Sequence, residues 1–157
     1  MPALKFVALD SKTVKSLRNG GKDANGQTPE RTVSDGSGNP CRHCLTEIAE
    51  GDAMLVLAHR PFPAPQPYAE IGPVFLHAED CPRHETEGGF PAMFQSWPRI
   101  LVRGYGSDDR IVYGTGQVIP MDQLEATAAG LLQQPEVAYL HLRSASNNCY
   151  QCRIERA

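Results

Sequence analysis

The chain contains no run of eighteen consecutive apolar residues, so no segment reads as a transmembrane helix. Its first ten residues lack both a basic leader and a long apolar stretch, so no secretory signal is read there and a cytoplasmic protein is the expectation. There is no excess of positive charge: the net charge is −3, which disfavours a nucleic-acid surface. Internal repeats, charge blocks and coiled-coil heptads are missing, and with them the solenoid and fibrous classes. G-x-S-x-G, H-E-x-x-H and a phosphate-binding glycine loop are also missing. Gly104-Tyr105-Gly106 and Gly114-Thr115-Gly116 lack the strand-to-helix setting that such a loop needs.

What is present is an ordinary apolar fraction of 41% in 157 residues, enough for one domain with a real core and no need of disulfides. The five cysteines are an odd number, which suits a reducing compartment and makes metal ligation, redox chemistry or plain burial the roles to weigh.

Hydrophobic patterning predicts an α+β fold: a sheet-dominated single domain over 1–157 with six to eight mostly antiparallel strands and one principal helix. Strands are expected at 4–9, 53–58, 72–77, 99–105, 110–119, 137–143 and 149–155, with a short one at 31–33. Residues 11–18 suggest one or two helical turns with Val14 and Leu17 on one side, and 91–96 a further turn. The segment 19–39 is rich in Gly, Asn, Asp and Ser and reads as a mobile loop. Residues 61–67 alternate with proline and read as a stiff surface crossing. The principal helix is expected at about 122–133: Asp122 is a good N-cap, Leu124, Ala128, Leu131 and Leu132 form an apolar stripe, and Pro135 bars continuation.

Two clusters carry chemistry. Cys41-Arg42-His43-Cys44 is a C-x2-C turn, and His77 and Cys81 follow the 72–77 strand. Together they offer the Cys3His donor set of a tetrahedral zinc site. The competing readings are ordinary buried thiols with a hydrogen-bonded core histidine at His77, or a redox pair at Cys41 and Cys44. The segment after Cys44 is too short for the helix that a thioredoxin-like pair requires. Cys149 and Cys152, three apart on a strand, point to opposite faces and cannot chelate together.

The second cluster is the C-terminal hairpin. Alternation puts Tyr139, His141 and Arg143 on one face, and a five-residue turn would pair Arg143 with Cys149 and His141 with Gln151. Tyr150, Cys152 and Ile154 would then line the apolar face. That collects His141, Arg143, Cys149, Gln151 and Arg153, with Arg103 and Tyr105 extending the surface from another strand. The surface suits an anionic small molecule, with Cys149 as a nucleophile beside His141. The competing reading is a solvated sheet face, the default for a polar side of an antiparallel hairpin.

Pro40-Cys41-Arg42 with Leu45, Pro67-Tyr68, Gly72-Pro73-Val74-Phe75, Arg103-Gly104-Tyr105, Val137-Ala138-Tyr139-Leu140-His141, Cys149-Tyr150 and Arg153-Ile154 follow one another in an order that resembles the bacterial domain of unknown function 1203 (DUF1203) family. The resemblance runs from about residue 39 to the C-terminus and implies a fold without an assigned activity. It implies that Arg42, Tyr68, Arg103, Tyr105, His141 and Cys149 occupy shared positions, whereas Cys44, His77 and Cys81 are an elaboration of one branch. The functional expectation is a small cytoplasmic module, zinc-bound through Cys41, Cys44, His77 and Cys81, that binds an anionic ligand through Arg42, Tyr68, Arg103, Tyr105, Arg143 and Arg153 or binds a protein partner. A homodimer is compatible with that role. The alternative is an enzyme working through Cys149 and His141.

Overall fold

The computed structural model describes residues 4–157, which form eight strands and two α-helices. In chain order they are β1 (Leu4–Val7), α1 (Ser11–Arg18), β2 (Glu30–Val33), β3 (Ala53–His59), β4 (Gly72–His77), β5 (Arg99–Tyr105), β6 (Gln117–Pro120), α2 (Leu124–Leu132), β7 (Tyr139–Ser144) and β8 (Tyr150–Arg156). The strands make two antiparallel sheets: a five-stranded one in the order β1-β8-β7-β5-β6 and a three-stranded one in the order β2-β3-β4. No helix among the described residues is long and apolar enough to cross a membrane.

Each sheet buries its apolar side against one helix. Ile100, Val102, Leu140, Leu142, Cys152 and Ile154 project from the large sheet onto Leu124, Ala128, Leu131 and Leu132 of α2. Val14 and Leu17 of α1 pack with Leu55, Leu57, Val74 and Leu76 of the small sheet, and Cys41 and Ile48 complete that core. α1 starts where Asp10 caps it: its carboxylate accepts from Thr13 N at 2.9 Å and Thr13 Oγ1 at 2.8 Å, satisfying a donor that the first turn leaves free.

Several local expectations are corrected. Asp122 is not the N-cap of α2. Met121–Gln123 wind as a 3-10 turn, so the α-helix begins after Gln123 with no side-chain cap. The strand expected at 110–119 survives only as Gln117–Pro120. Thr115 disrupts it by turning inward: its Oγ1 accepts from Gly104 N at 2.9 Å and donates to Val112 O at 2.5 Å. The close approach works because residue 104 is glycine, since a Cβ there would sit 3.1–3.2 Å from the Thr115 side chain. The short strand expected at 31–33 within the 19–39 loop is present as β2, and the loop is not loose. It is tied to β3 where Asp23 Oδ2 accepts from Ala58 N at 3.0 Å and Ala24 N donates to Ala58 O at 3.1 Å.

The hairpin register also differs. His141 pairs with Arg153 and Leu142 with Cys152, but Arg143 pairs with Tyr150, not Cys149, and the ladder shifts between Leu142 and Arg143. One extra residue, Gln151, bulges on β8. The bulge moves Tyr150 onto the face of His141, where the two rings lie 4.8 Å apart.

This packing sets unequal costs for neighbouring apolar residues. Truncating Leu142, fully buried in the larger core, to alanine should lower the unfolding free energy by about 2–5 kcal/mol. Truncating Val118, 44% exposed on β6, should change it by less than about 0.5 kcal/mol. Denaturant titration of the two variants checks this, and equal losses would contradict the packing described.

Candidate metal centre

Cys41 reaches β4 through backbone pairing. It bridges Phe75 in parallel, and Arg42 N donates to Phe75 O at 3.0 Å. The turn then closes on itself: Leu45 N donates to Cys41 O at 3.0 Å, and Cys41 N to Thr46 O at 2.9 Å. Leu45, the residue after the second cysteine, adopts φ +54°, a left-handed backbone that favours glycine, while its side chain is buried in the larger core. Non-glycine residues held there cost of order 1 kcal/mol or more, so packing on both sides holds the turn in shape.

The result is one cluster. Cys41 Sγ, Cys44 Sγ, a His77 ring nitrogen and Cys81 Sγ all lie within 4.8 Å of one another. Cys41 Sγ to Cys81 Sγ is 3.9 Å and Cys44 Sγ to His77 Nδ1 is 3.4 Å. Zinc bonds of roughly 2.3 Å to sulfur and 2.0–2.1 Å to nitrogen, arranged tetrahedrally, demand about 3.8 Å between sulfurs and about 3.6 Å from sulfur to nitrogen. The donors are therefore spaced for one ion. The expected ligand set is assembled, the thiols are free, and His77 is part of the cluster and not an isolated core histidine.

Contacts around the donors support anionic sulfur. His77 N donates to Cys41 Sγ at 3.3 Å. Arg18, from the last turn of α1, donates Nη2 to Cys81 Sγ at 3.0 Å and Nε to His77 O at 3.0 Å. His43 Nδ1 lies 3.2 Å from Cys81 Sγ, and its Nε2 is 3.0 Å from Ser11 Oγ. Hydrogen bonds from the Cys44 and Cys81 thiols pull the Cys41 pKa far down, and making those bonds holds Cys44 and Cys81 up. Three sulfurs this close share one negative charge easily, but three charges only around a cation. Arg18 and His43 are absent from the sequence expectation. Arg18 offered a signal in its place at the end of an amphipathic helix, His43 in its place inside the C-x2-C turn.

Beside this cluster lies the polar face of the large sheet. It is not solvated, which corrects the default reading of a hairpin's polar side. His141 is wholly buried, and Arg143 and Gln151 nearly so. The 60–71 connector covers the face, with Phe62 against Tyr105 and His141 at 5.3 and 5.0 Å. Four aromatic rings, Phe62, Tyr105, Tyr139 and Tyr150, surround the imidazole. Arg143 Nη2 lies 3.4 Å from His141 Nδ1. A guanidinium only donates, so Nδ1 accepts and the ring proton sits on Nε2, which has no partner among the described residues. Burial first, and then Arg143, hold the His141 pKa well below its usual value.

The expected ligand-binding residues divide. Arg103 and Tyr105 do extend the face: Arg103 Nε donates to Tyr105 OH at 2.9 Å, and Nη2 to Glu70 Oε1 at 2.9 Å. Arg153 lies over the Tyr139 ring at 3.7 Å, and its Nε is 2.6 Å from Glu155 Oε2 but out of line for a hydrogen bond. Tyr68 lies apart, with its hydroxyl 2.9 Å from that of the exposed Tyr113 and Arg110 over its ring. Arg42 is buried at the seam of the two sheets, donating Nε to Tyr150 O at 2.7 Å and Nη1 to Pro40 O at 2.6 Å. Burial lowers its pKa to about 10, which leaves it charged at neutral pH. Cys149 lines a cavity of about 180 Å³ with Arg143, and the histidine lining that cavity is His59, not His141. His59 and Glu70, both missed from sequence, sit on or after β3 in stretches that periodicity marks only as strand end and loop.

Residues 38–156 match the family described as "Protein of unknown function (DUF1203)", and the chain belongs to that family. No curated protein and no solved structure matches it.

His59 gives the face a measurable pH dependence. Burial, and then Arg42, lower its pKa from 6.5 to about 4. A histidine with a depressed folded pKa takes its proton more readily in the unfolded chain. Its contribution is therefore intact above about pH 6.5 and is lost as pH falls toward 4. Acidification across that window should cost the wild type up to about 3 kcal/mol more than it costs His59→Gln, read from denaturant midpoints. Parallel curves for the two proteins would refute the assignment.

Proposed function

We propose that this member of the DUF1203 family is a zinc-stabilised binding domain, with one zinc ion held by Cys41, Cys44, His77 and Cys81. The observation that carries the reading is the convergence of four soft or borderline donors from two separate segments, all within 4.8 Å of one another. Four protein ligands fill a tetrahedron and leave no open position for a water or substrate, which is the pattern of a structural site and not a catalytic one. Three thiolates and a neutral imidazole around Zn²⁺ carry a net charge of −1, and the Arg18 guanidinium at 3.0 Å from Cys81 Sγ offsets it.

The ion's work is to cross-brace. It ties the C-x2-C turn to the end of β4 and the loop beyond, and through Arg18 to α1. The same turn carries Arg42, which spans the seam to β8. A rigid turn thereby holds the covered polar face in place, and the cavity at its edge, lined by Arg143 and Cys149, is the part of the molecule suited to binding.

Protein purified without a histidine tag should contain about one zinc per chain by elemental analysis. A strong chelator, or Cys44→Ser, should lower Tm by about 10 °C or more. Each kcal/mol is worth roughly 2–4 °C at this chain length, and losing a structural zinc removes several. A metal-free protein whose Tm is indifferent to chelator would overturn the proposal.

A further inference from the structure

The cavity of about 180 Å³ between the β3–β4 connector and the tip of the β7–β8 hairpin contains a buried cation short of partners. The Arg143 side chain is 4% exposed and lines it. Of its five N–H donors, one reaches Asn148 O at 3.2 Å and one approaches His141 Nδ1 at 3.4 Å, while Nε is buried with no partner among the described residues. The carboxylate facing it is Glu70, whose Oε2 stands 3.7 Å from Arg143 Nη1, beyond hydrogen-bond length. The other oxygen of Glu70 is engaged by Arg103 at 2.9 Å. A buried guanidinium normally takes a bidentate carboxylate, and here it has half of one at a distance. Glu70 is 43% exposed on a connector without regular structure, so its Oε2 can turn away from Arg143 while Oε1 stays on Arg103.

We propose that this cavity is a binding site for a small monocarboxylate, which pairs with Arg143 and displaces Glu70, the internal stand-in, from it. Size excludes larger ligands, because pockets for drug-sized or nucleotide ligands begin at about 300 Å³. Charge favours one negative unit over two. His59, which also lines the cavity, is held neutral by burial, and Arg103 keeps Glu70 Oε1 as its partner. Ile71, Gly72 and Pro73 supply an apolar wall for a short tail. None of the four metal-ligating residues lines the cavity, so this proposal stands or falls independently of the zinc site.

The test is a titration of the ¹⁵N-labelled 157-residue chain, as purified, with sodium acetate at constant ionic strength. The probe is the Arg143 Nε–Hε resonance, assigned by its loss in Arg143→Lys. A saturable shift is expected in the wild type. Glu70→Gln should tighten acetate binding about tenfold or more, as removal of a charged competitor implies. Inorganic phosphate should bind more weakly than acetate. Absence of a saturable shift in both proteins, equal affinity in both, or phosphate binding tighter than acetate would overturn the proposal. If Arg143→Lys fails to fold, the backbone amide shifts of Asn148 and Cys149, which line the cavity, serve as the probe in the wild type and Glu70→Gln, and the comparison still decides.

Discussion

Everything in the candidate metal centre depends on one backbone constraint, the parallel bridge that sets Cys41 beside Phe75. Two hydrogen bonds inside the turn and one to β4 fix where residues 41–44 lie before any side chain is considered. With the turn docked there, His77 comes from the end of the same strand and Cys81 from the loop beyond it, and the donor spacings follow. The left-handed backbone at Leu45 is the local strain that this docking sustains, and burial of the Leu45 side chain in the larger core is what holds it.

The same turn joins the two sheets. Arg42 reaches from it to β8, donating to the backbone carbonyls of Pro40 and Tyr150. Its charge is buried yet hydrogen-bonded, the condition under which a guanidinium is tolerated inside a protein. The metal cluster and the covered polar face are therefore two sides of one mechanical unit. On the far side the electrostatics change character. His59 and His141 are kept neutral by burial, and Tyr139 and Tyr150 are held protonated by it, while Arg103 and Arg143 share the single carboxylate of Glu70. That imbalance is what an anionic ligand would meet.

The sequence made legible what spacing and alternation control. β4 and β5 fall at the expected residues, α2 buries the expected stripe, and Cys41, Cys44, His77 and Cys81 meet because C-x2-C turns and strand ends have few geometries. What it hid is what depends on another segment. A bulge at Gln151 leaves no mark in the pattern of β8, yet it exchanges Cys149 for Tyr150 opposite Arg143. The hairpin's polar side reads as solvated because nothing in residues 137–155 announces that Phe62 will cover it. Asp122 satisfies every local rule for an N-cap, and a 3-10 turn after Pro120 takes its place. Glu70 was silent because a carboxylate in a loop acquires meaning only from the arginines it faces.

The most direct test of the central claim is X-ray absorption at the zinc edge on protein purified without a tag. A first shell of three sulfurs at about 2.3 Å and one nitrogen at about 2.0–2.1 Å is the predicted result. It would change to two sulfurs, with a light atom in place of the third, in Cys44→Ser. A shell of oxygen and nitrogen alone, or no bound zinc at all, would contradict the account.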